Sequence, residues 1–293
     1  MKIQRVRRFI SNKKSGYIDC AAAFQYLGKE DVKFLDIRQQ SSYLNERLPG
    51  SLLASKPLQY RKIYDQQGLN YMQKYFAEYF YNVIKIKKDD YVIAYDESLL
   101  SQYGPSVTQF LLNYLGHKNV SILDGGLESW KVRNLSVESG NQLNRIQQQL
   151  LENQDKVGQL LGEKEGQIKV DQSEVLVNID YIQKALEQGD THIVDVREPQ
   201  EYKQGRIPNS VNIPLSQLFQ VQQNGAYVRK QNEIQNILKN KHITQQDQIV
   251  VYCKMGYRSS QAWTALKNAG FNKVYNYGGS FYEWENSNNR VEK

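Results

Sequence analysis

The strongest constraint on this chain is that its pattern is written twice. Leu35-Asp36-Ile37-Arg38, then Tyr43, then Leu48-Pro49-Gly50-Ser51 recurs as Val194-Asp195-Val196-Arg197, Tyr202 and Ile207-Pro208-Asn209-Ser210, with identical spacing. Further on, Tyr91 to Asp96 matches Gln248 to Cys253, and Leu115 to Val120 matches Ala269 to Val274. Asp124-Gly125-Gly126 with Trp130 mirrors Tyr277-Gly278-Gly279 with Trp284. Matches that keep their order along the chain imply two copies of one fold, and 293 residues suit two domains of ordinary size.

Within each copy short apolar runs alternate with helical stretches. That alternation predicts an α/β fold, with parallel strands joined by helical crossovers and helices on both faces of each sheet. In the second copy the strands are expected near Val175-Val177, Ile193-Val196, Val211-Ile213, Ile249-Tyr252 and Val274-Tyr277. The expected organisation is a basic leader at 1–16, a first domain at 17–137, a Gln-rich linker at 138–172 with a helical Leu and Ile pattern, and a second domain at 173–293.

The chemistry concentrates in Gln248 to Gly270, which reads as strand, tight loop and helix. Four apolar or aromatic residues, Ile249 to Tyr252, precede Cys253, and Ala262, Ala265, Leu266 and Ala269 then recur at helical spacing after a Ser N-cap, with Gly270 as the stop. Sites in open α/β sheets gather at the carboxyl ends of strands, where Cys253 falls. A loop curling into a helix N-terminus turns backbone N–H groups inward as a nest for an anion. A thiol there, beside Lys254 and Arg258, is expected to be held as the thiolate and to react near neutrality. Gly256 allows the turn that a side chain obstructs. The plainer alternatives are a buried structural cysteine and two solvated surface charges.

Charge excludes one broad class. The formal net charge is +7, but Lys2, Arg5, Arg7, Arg8, Lys13 and Lys14 sit in the first 15 residues, and without those six the chain has 32 basic residues against 31 acidic ones. A near-neutral body gives no electrostatic support to nucleic-acid binding. In the leader, Ile3, Val6, Phe9 and Ile10 share one helical stripe, as in a mitochondrial targeting segment; a plain basic arm is the alternative, with a cytoplasmic location. Two cysteines, Cys20 and Cys253, make no disulfide framework and suit a reducing compartment. No apolar run reaches the roughly 18 residues of a membrane span, and the three histidines have no grouped partners for a metal. Cys20, within Ala21-Ala22-Ala23, reads as a packed helix residue.

Asp-x-Arg, the Pro208-to-Pro214 segment, the Cys253 loop with Arg258-Ser259, and Gly278-Gly279 before Trp284 resemble the rhodanese family of sulfurtransferases, over about residues 17–135 and 174–288. The resemblance implies two rhodanese-like domains of which the second is catalytic. Carried over, Cys253 is the nucleophile, which takes the outer sulfur of a donor such as thiosulfate and holds it as a persulfide. Lys254, Met255, Gly256, Tyr257, Arg258 and Ser259 are then the loop that binds the anionic substrate. The implied partners are a small anionic sulfur donor and a thiol or cyanide acceptor; no cofactor is implied.

Two departures stand out. The first copy has Asp96 where the second has Cys253, which leaves that domain structural and cleft-forming work, or a separate acid-base role for Asp96. Tandem members specific for thiosulfate or mercaptopyruvate usually carry another Arg four residues after the Arg of Asp-x-Arg, and here that place is Glu201. The donor is therefore open.

Rival readings remain. A phosphatase or arsenate reductase of similar fold needs five residues between Cys and Arg, and four separate Cys253 from Arg258. A rhodanese pair without activity, serving as a binding module or as a subunit of a larger assembly docked through leader or linker, is the second rival.

Overall fold

The computed structural model describes residues 16–55, 73–98, 103–140, 143–154, 175–223 and 225–293. The leader, apart from its last residue, and the linker beyond residue 154 lie outside the described residues.

Among the described residues each half builds one five-stranded sheet, and every pairing within both is parallel. The first contains β1 (Gly16–Ile18), β2 (Val32–Asp36), β3 (Leu52–Leu53), β4 (Tyr91–Tyr95) and β5 (Val120–Leu123), in the order β1-β5-β4-β2-β3. The second contains β6 (Leu176–Val177), β7 (Thr191–Asp195), β8 (Val211–Asn212), β9 (Gln248–Tyr252) and β10 (Val274–Tyr277), in the order β6-β10-β9-β7-β8. The two orders are the same, so the repeat in sequence is a repeat in topology.

The central strand of each sheet is apolar on both faces because it is covered on both faces. In β9, Ile249 and Val251 enter one cluster with Val194, Ala262 and Leu266, whereas Val250 and Tyr252 enter another with Ile182, Phe281 and Trp284. The period of two carries successive side chains to opposite sides of the sheet. Asp195 and Arg197, and likewise Asp36 and Arg38, form buried ion pairs at 2.6 and 2.7 Å beside the end of the sheet. Arg197 also donates to the Gly205 carbonyl at 2.6 Å and covers the Phe281 ring at 4.0 Å. Present in both copies, this pair is a structural clasp.

The helix Tyr257–Asn268 is buried from Ser259 through Leu266, as its counterpart Gly104–Tyr114 is from Gly104 through Leu112. Its two sides meet different domains. Trp263 packs edge-on against Phe110 of the first domain with ring centroids 5.9 Å apart, and Thr264 Oγ1 donates to Gln109 Oε1 at 2.7 Å. An aromatic pair of this kind adds about 0.5–1.5 kcal/mol beyond its burial.

A hairpin, and the docking of the expected linker helix on the first domain, escaped the sequence reading. An antiparallel hairpin, Phe219–Gln222 with Gly225–Val228, reaches the first domain, where the Val228 N–H donates to Asp124 Oδ1 at 3.0 Å. The linker begins as part of the first domain. Glu138–Ser139 pairs with Glu46–Arg47, and the helix Arg145–Gln154 docks through buried Leu150 and through Gln147 Nε2, which donates to the Ser51 carbonyl at 2.9 Å.

Candidate functional site

Cys253 follows the last residue of β9 directly, and its backbone is fixed before its thiol is considered. The Cys253 N–H donates to Ser280 Oγ at 3.2 Å, and its carbonyl accepts from the Phe281 N–H at 3.0 Å. The chain then turns through Lys254, Met255 and Gly256. The helix was expected to begin at a Ser N-cap, but the cap is three residues ahead of Ser259, at Gly256 with φ +88°, and the helix starts at Tyr257. A β-carbon at Gly256 would lie 2.7 Å from the Gly278 carbonyl oxygen, so this left-handed turn requires glycine on two counts. Tyr257, Arg258 and Ser259 therefore form the first helical turn rather than part of the loop.

That turn brings donors to the sulfur. Sγ accepts from the Gly256 N–H at 3.1 Å and from Ser259 Oγ at 3.6 Å, with Ser280 Oγ 4.0 Å away. The thiol is 1% exposed, at the bottom of a lip made by half-buried Lys254, Met255, Gly256 and Tyr257. Such a nest stabilises negative charge on whichever sulfur it surrounds. Ser280 had no signal of its own in the sequence beyond following Gly278-Gly279. It adopts φ +53°, a conformation uncommon outside glycine, and so turns its hydroxyl toward the Cys253 backbone.

The two cations beside the cysteine are both engaged by carboxylates. Arg258 forks onto Glu201 through Nη1 at 2.5 Å and Nη2 at 2.8 Å, while Lys254 pairs with Glu285 and lies over the Phe281 ring at 5.1 Å. Glu201 holds the guanidinium firmly charged, and Arg258 in return holds the Glu201 carboxyl below its usual range. The sequence revealed the charges but not their partners.

The first domain reaches this site in return. Tyr103, at φ +60° ahead of the helix Gly104–Tyr114, packs on the second domain's core. Burial raises its phenol, and the charges of Arg258, Cys253, Glu198 and Glu201 all act on it. Tyr257 conversely packs on the first domain's core. A residue from each domain thus crosses to the other beside the sulfur loop.

The equivalent place in the first copy holds Asp96, which is buried, with Oδ1 accepting from the Glu97 N–H at 2.6 Å. The other thiol, Cys20, is a different environment: its Sγ contacts Ser129 Oγ at 3.4 Å and burial raises it above the ordinary thiol range. Among the described residues no group of three or more His, Cys, Asp or Glu is arranged to hold a metal ion, and no helix is long and apolar enough to cross a membrane.

A family model described as a rhodanese-like domain matches residues 21–133 and again 178–287. A sulfur carrier protein of Thermus thermophilus, TtuD, is 28% identical over 218 residues, covering 69% of this chain and 70% of that protein. A thiosulfate sulfurtransferase of Corynebacterium glutamicum is 26% identical over 218 residues, covering 69% and 65%. The fold is similar to that of SseA from Escherichia coli, described as a 3-mercaptopyruvate sulfotransferase, with a TM-score of 0.70, 20% identity, and 91% and 99% of the two chains covered.

Proposed function

Since the chain belongs to the rhodanese-like family, two copies of which span most of its length, we propose that it is a sulfurtransferase working through a persulfide on Cys253 of its second domain. Relatives named as sulfurtransferases and as a sulfur carrier support this reading. The observation that carries it is the Gly256 N–H on Sγ at 3.1 Å, inside a turn that glycine alone accommodates.

With thiosulfate as donor, the Cys253 thiolate attacks the outer sulfur. A new S–S bond forms, the donor's S–S bond breaks, and sulfite leaves with the electron pair. The persulfide's terminal sulfur then passes to a thiol or to cyanide, which gives thiocyanate and restores the thiolate. No electrons are gained or lost overall. Gly256 N–H and the Ser259 hydroxyl hold the inner sulfur, Ser280 donates to the Tyr277 carbonyl at 2.8 Å and fixes the Cys253 backbone, and Lys254 to Ser259 surround the arriving donor. Asp96 cannot carry sulfur, so the first domain's contribution is the cleft wall and Tyr103.

A second reading has specific support: the thiol is 1% exposed and both neighbouring cations are neutralised, as suits a retained module in a larger assembly. Thiocyanate formation from thiosulfate and cyanide separates the two. The catalytic reading expects turnover that Cys253→Ser abolishes; negligible turnover by a folded wild type, with stable association to other subunits, supports the assembly reading.

A further inference from the structure

The first domain contains a cavity that the sulfur chemistry does not use. It holds about 580 Å³ and lies between the start of β2, the edge strand β3, the segment Glu78–Val83 and the docked helix Arg145–Gln154. Phe34, Leu52, Val83, Ile84 and Leu150, all buried, supply its floor, and Ile146 stands at its lip 62% exposed. A β-branched apolar side chain left mostly in water beside an apolar hollow has surface to offer a ligand.

The polar lining has one sign. Lys29, Lys33, Lys85 and Lys87 line the cavity, and no acidic residue is among its described lining. Two of these cations are already occupied: Lys33 Nζ donates to the Glu30 carbonyl at 2.6 Å, and Lys29 lies over the Tyr26 ring at 4.8 Å. Lys85 and Lys87 are exposed, and among the described residues neither ammonium group makes an ion pair or a hydrogen bond, although the Lys87 backbone N–H donates to Asp90 Oδ2 at 2.9 Å.

Local backbone points to the same place. Glu78–Val83 is a π-helical turn, closed by the Ile84 N–H donating to the Tyr79 carbonyl at 2.8 Å. Such turns are rare and recur at functional sites. It delivers Val83 and Ile84 to the cavity and is followed by Lys85 at φ +63°, a conformation that a lysine adopts at a cost. Strain held at an unpaired cation beside an apolar hollow is what a binding site would retain and a purely structural turn would lose.

We propose that this cavity is a binding site for a long-chain carboxylate of the fatty-acid class, its head group between Lys85 and Lys87 and its chain along Ile84, Leu52 and Leu150 against Ile146. One carboxylate offers acceptors to two unpaired ammonium groups, and an alkyl chain removes the apolar walls from water. An inorganic anion would leave those walls exposed. A concave hollow also suits a single molecule better than a membrane surface does. The site gives the first domain, which has Asp96 in place of the loop cysteine, a ligand of its own and is independent of Cys253.

The test is calorimetric titration of the full chain with dodecanoate below its micelle concentration. We expect saturable binding of one molecule per chain, at least tenfold weaker for the exposed double variant Lys85→Glu/Lys87→Glu, whose fold is checked by circular dichroism. Dodecan-1-ol, with the same chain and no charge, is expected to bind at least tenfold more weakly to the wild type. Cys253→Ser is expected to bind dodecanoate as the wild type does, whatever becomes of sulfur transfer. Absence of saturable binding, equal affinity of the alcohol, an unchanged double variant, or binding to anionic phospholipid vesicles alone would each overturn the proposal.

Discussion

Arg258 and Glu201 form a two-point ion pair, at 2.5 and 2.8 Å, across 57 residues of chain and at the edge of the sulfur loop. With Lys254 likewise held by Glu285, the loop presents little net positive charge to an arriving anion. On the proposed sulfurtransferase reading, donor selection at this site turns on a carboxylate as much as on the cations.

Glu201→Gln is expected to release the guanidinium and improve the use of thiosulfate, a dianion. The pair is partly exposed, so its worth is about 0.5–1 kcal/mol. A fall in KM of about two- to fivefold with kcat nearly unchanged is the expected split; steady-state kinetics over thiosulfate concentration read it directly. An unchanged or raised KM would remove Glu201 from donor selection.

Gly256→Ala is expected to be costly to both folding and activity. A left-handed turn at φ +88° and a contact of 2.7 Å to the Gly278 carbonyl oxygen oppose the new β-carbon together. A loss of about 1–3 kcal/mol in stability follows. Thiocyanate turnover should fall by more than tenfold, since the displaced N–H is the one on Sγ. Denaturant unfolding beside turnover measures both.

Ser280→Ala removes the acceptor of the Cys253 N–H and a hydroxyl 4.0 Å from Sγ while the strained backbone stays. About 1 kcal/mol of stability is expected to be lost, with a moderate fall in turnover. Ser280→Gly relieves the positive φ but not the hydrogen bond, so it should unfold later than Ser280→Ala and turn over no faster.

Asp124 joins the domains through the Val228 N–H, and burial pushes its carboxyl up from about 3.8 to about 6. A carboxyl raised by folding binds its proton more tightly in the native state. Its contribution to stability is thus full below about pH 4 and is lost as pH rises through about 6. Asp124→Asn, which keeps an oxygen for Val228, should flatten this part of the pH profile and raise the thermal midpoint above pH 7. Midpoints compared between pH 4.5 and 7.5 test the sign.

Much of the architecture was legible because it rests on local pattern. Ile249 to Tyr252 are apolar without alternation since both faces of β9 are covered, and the repeat carried that reading to Tyr91–Tyr95. Cys253 was legible from its place between strand and helix. The helix start was misplaced because a glycine in the left-handed region can cap as well as a serine, and Gly256 precedes Ser259. Glu285, Ser280 and Tyr103 were not legible as parts of the site, and Glu201, singled out by its place after Arg197, was not legible as the partner of Arg258. Each meets the loop through tertiary contact, and single-residue identity says nothing of who will be its neighbour.

The most direct measurement is the intact mass of the protein after incubation with thiosulfate. The account predicts a gain of one sulfur atom, discharged by cyanide and absent in Cys253→Ser. An unmodified wild-type chain, or the same gain of sulfur in the serine variant, would contradict it.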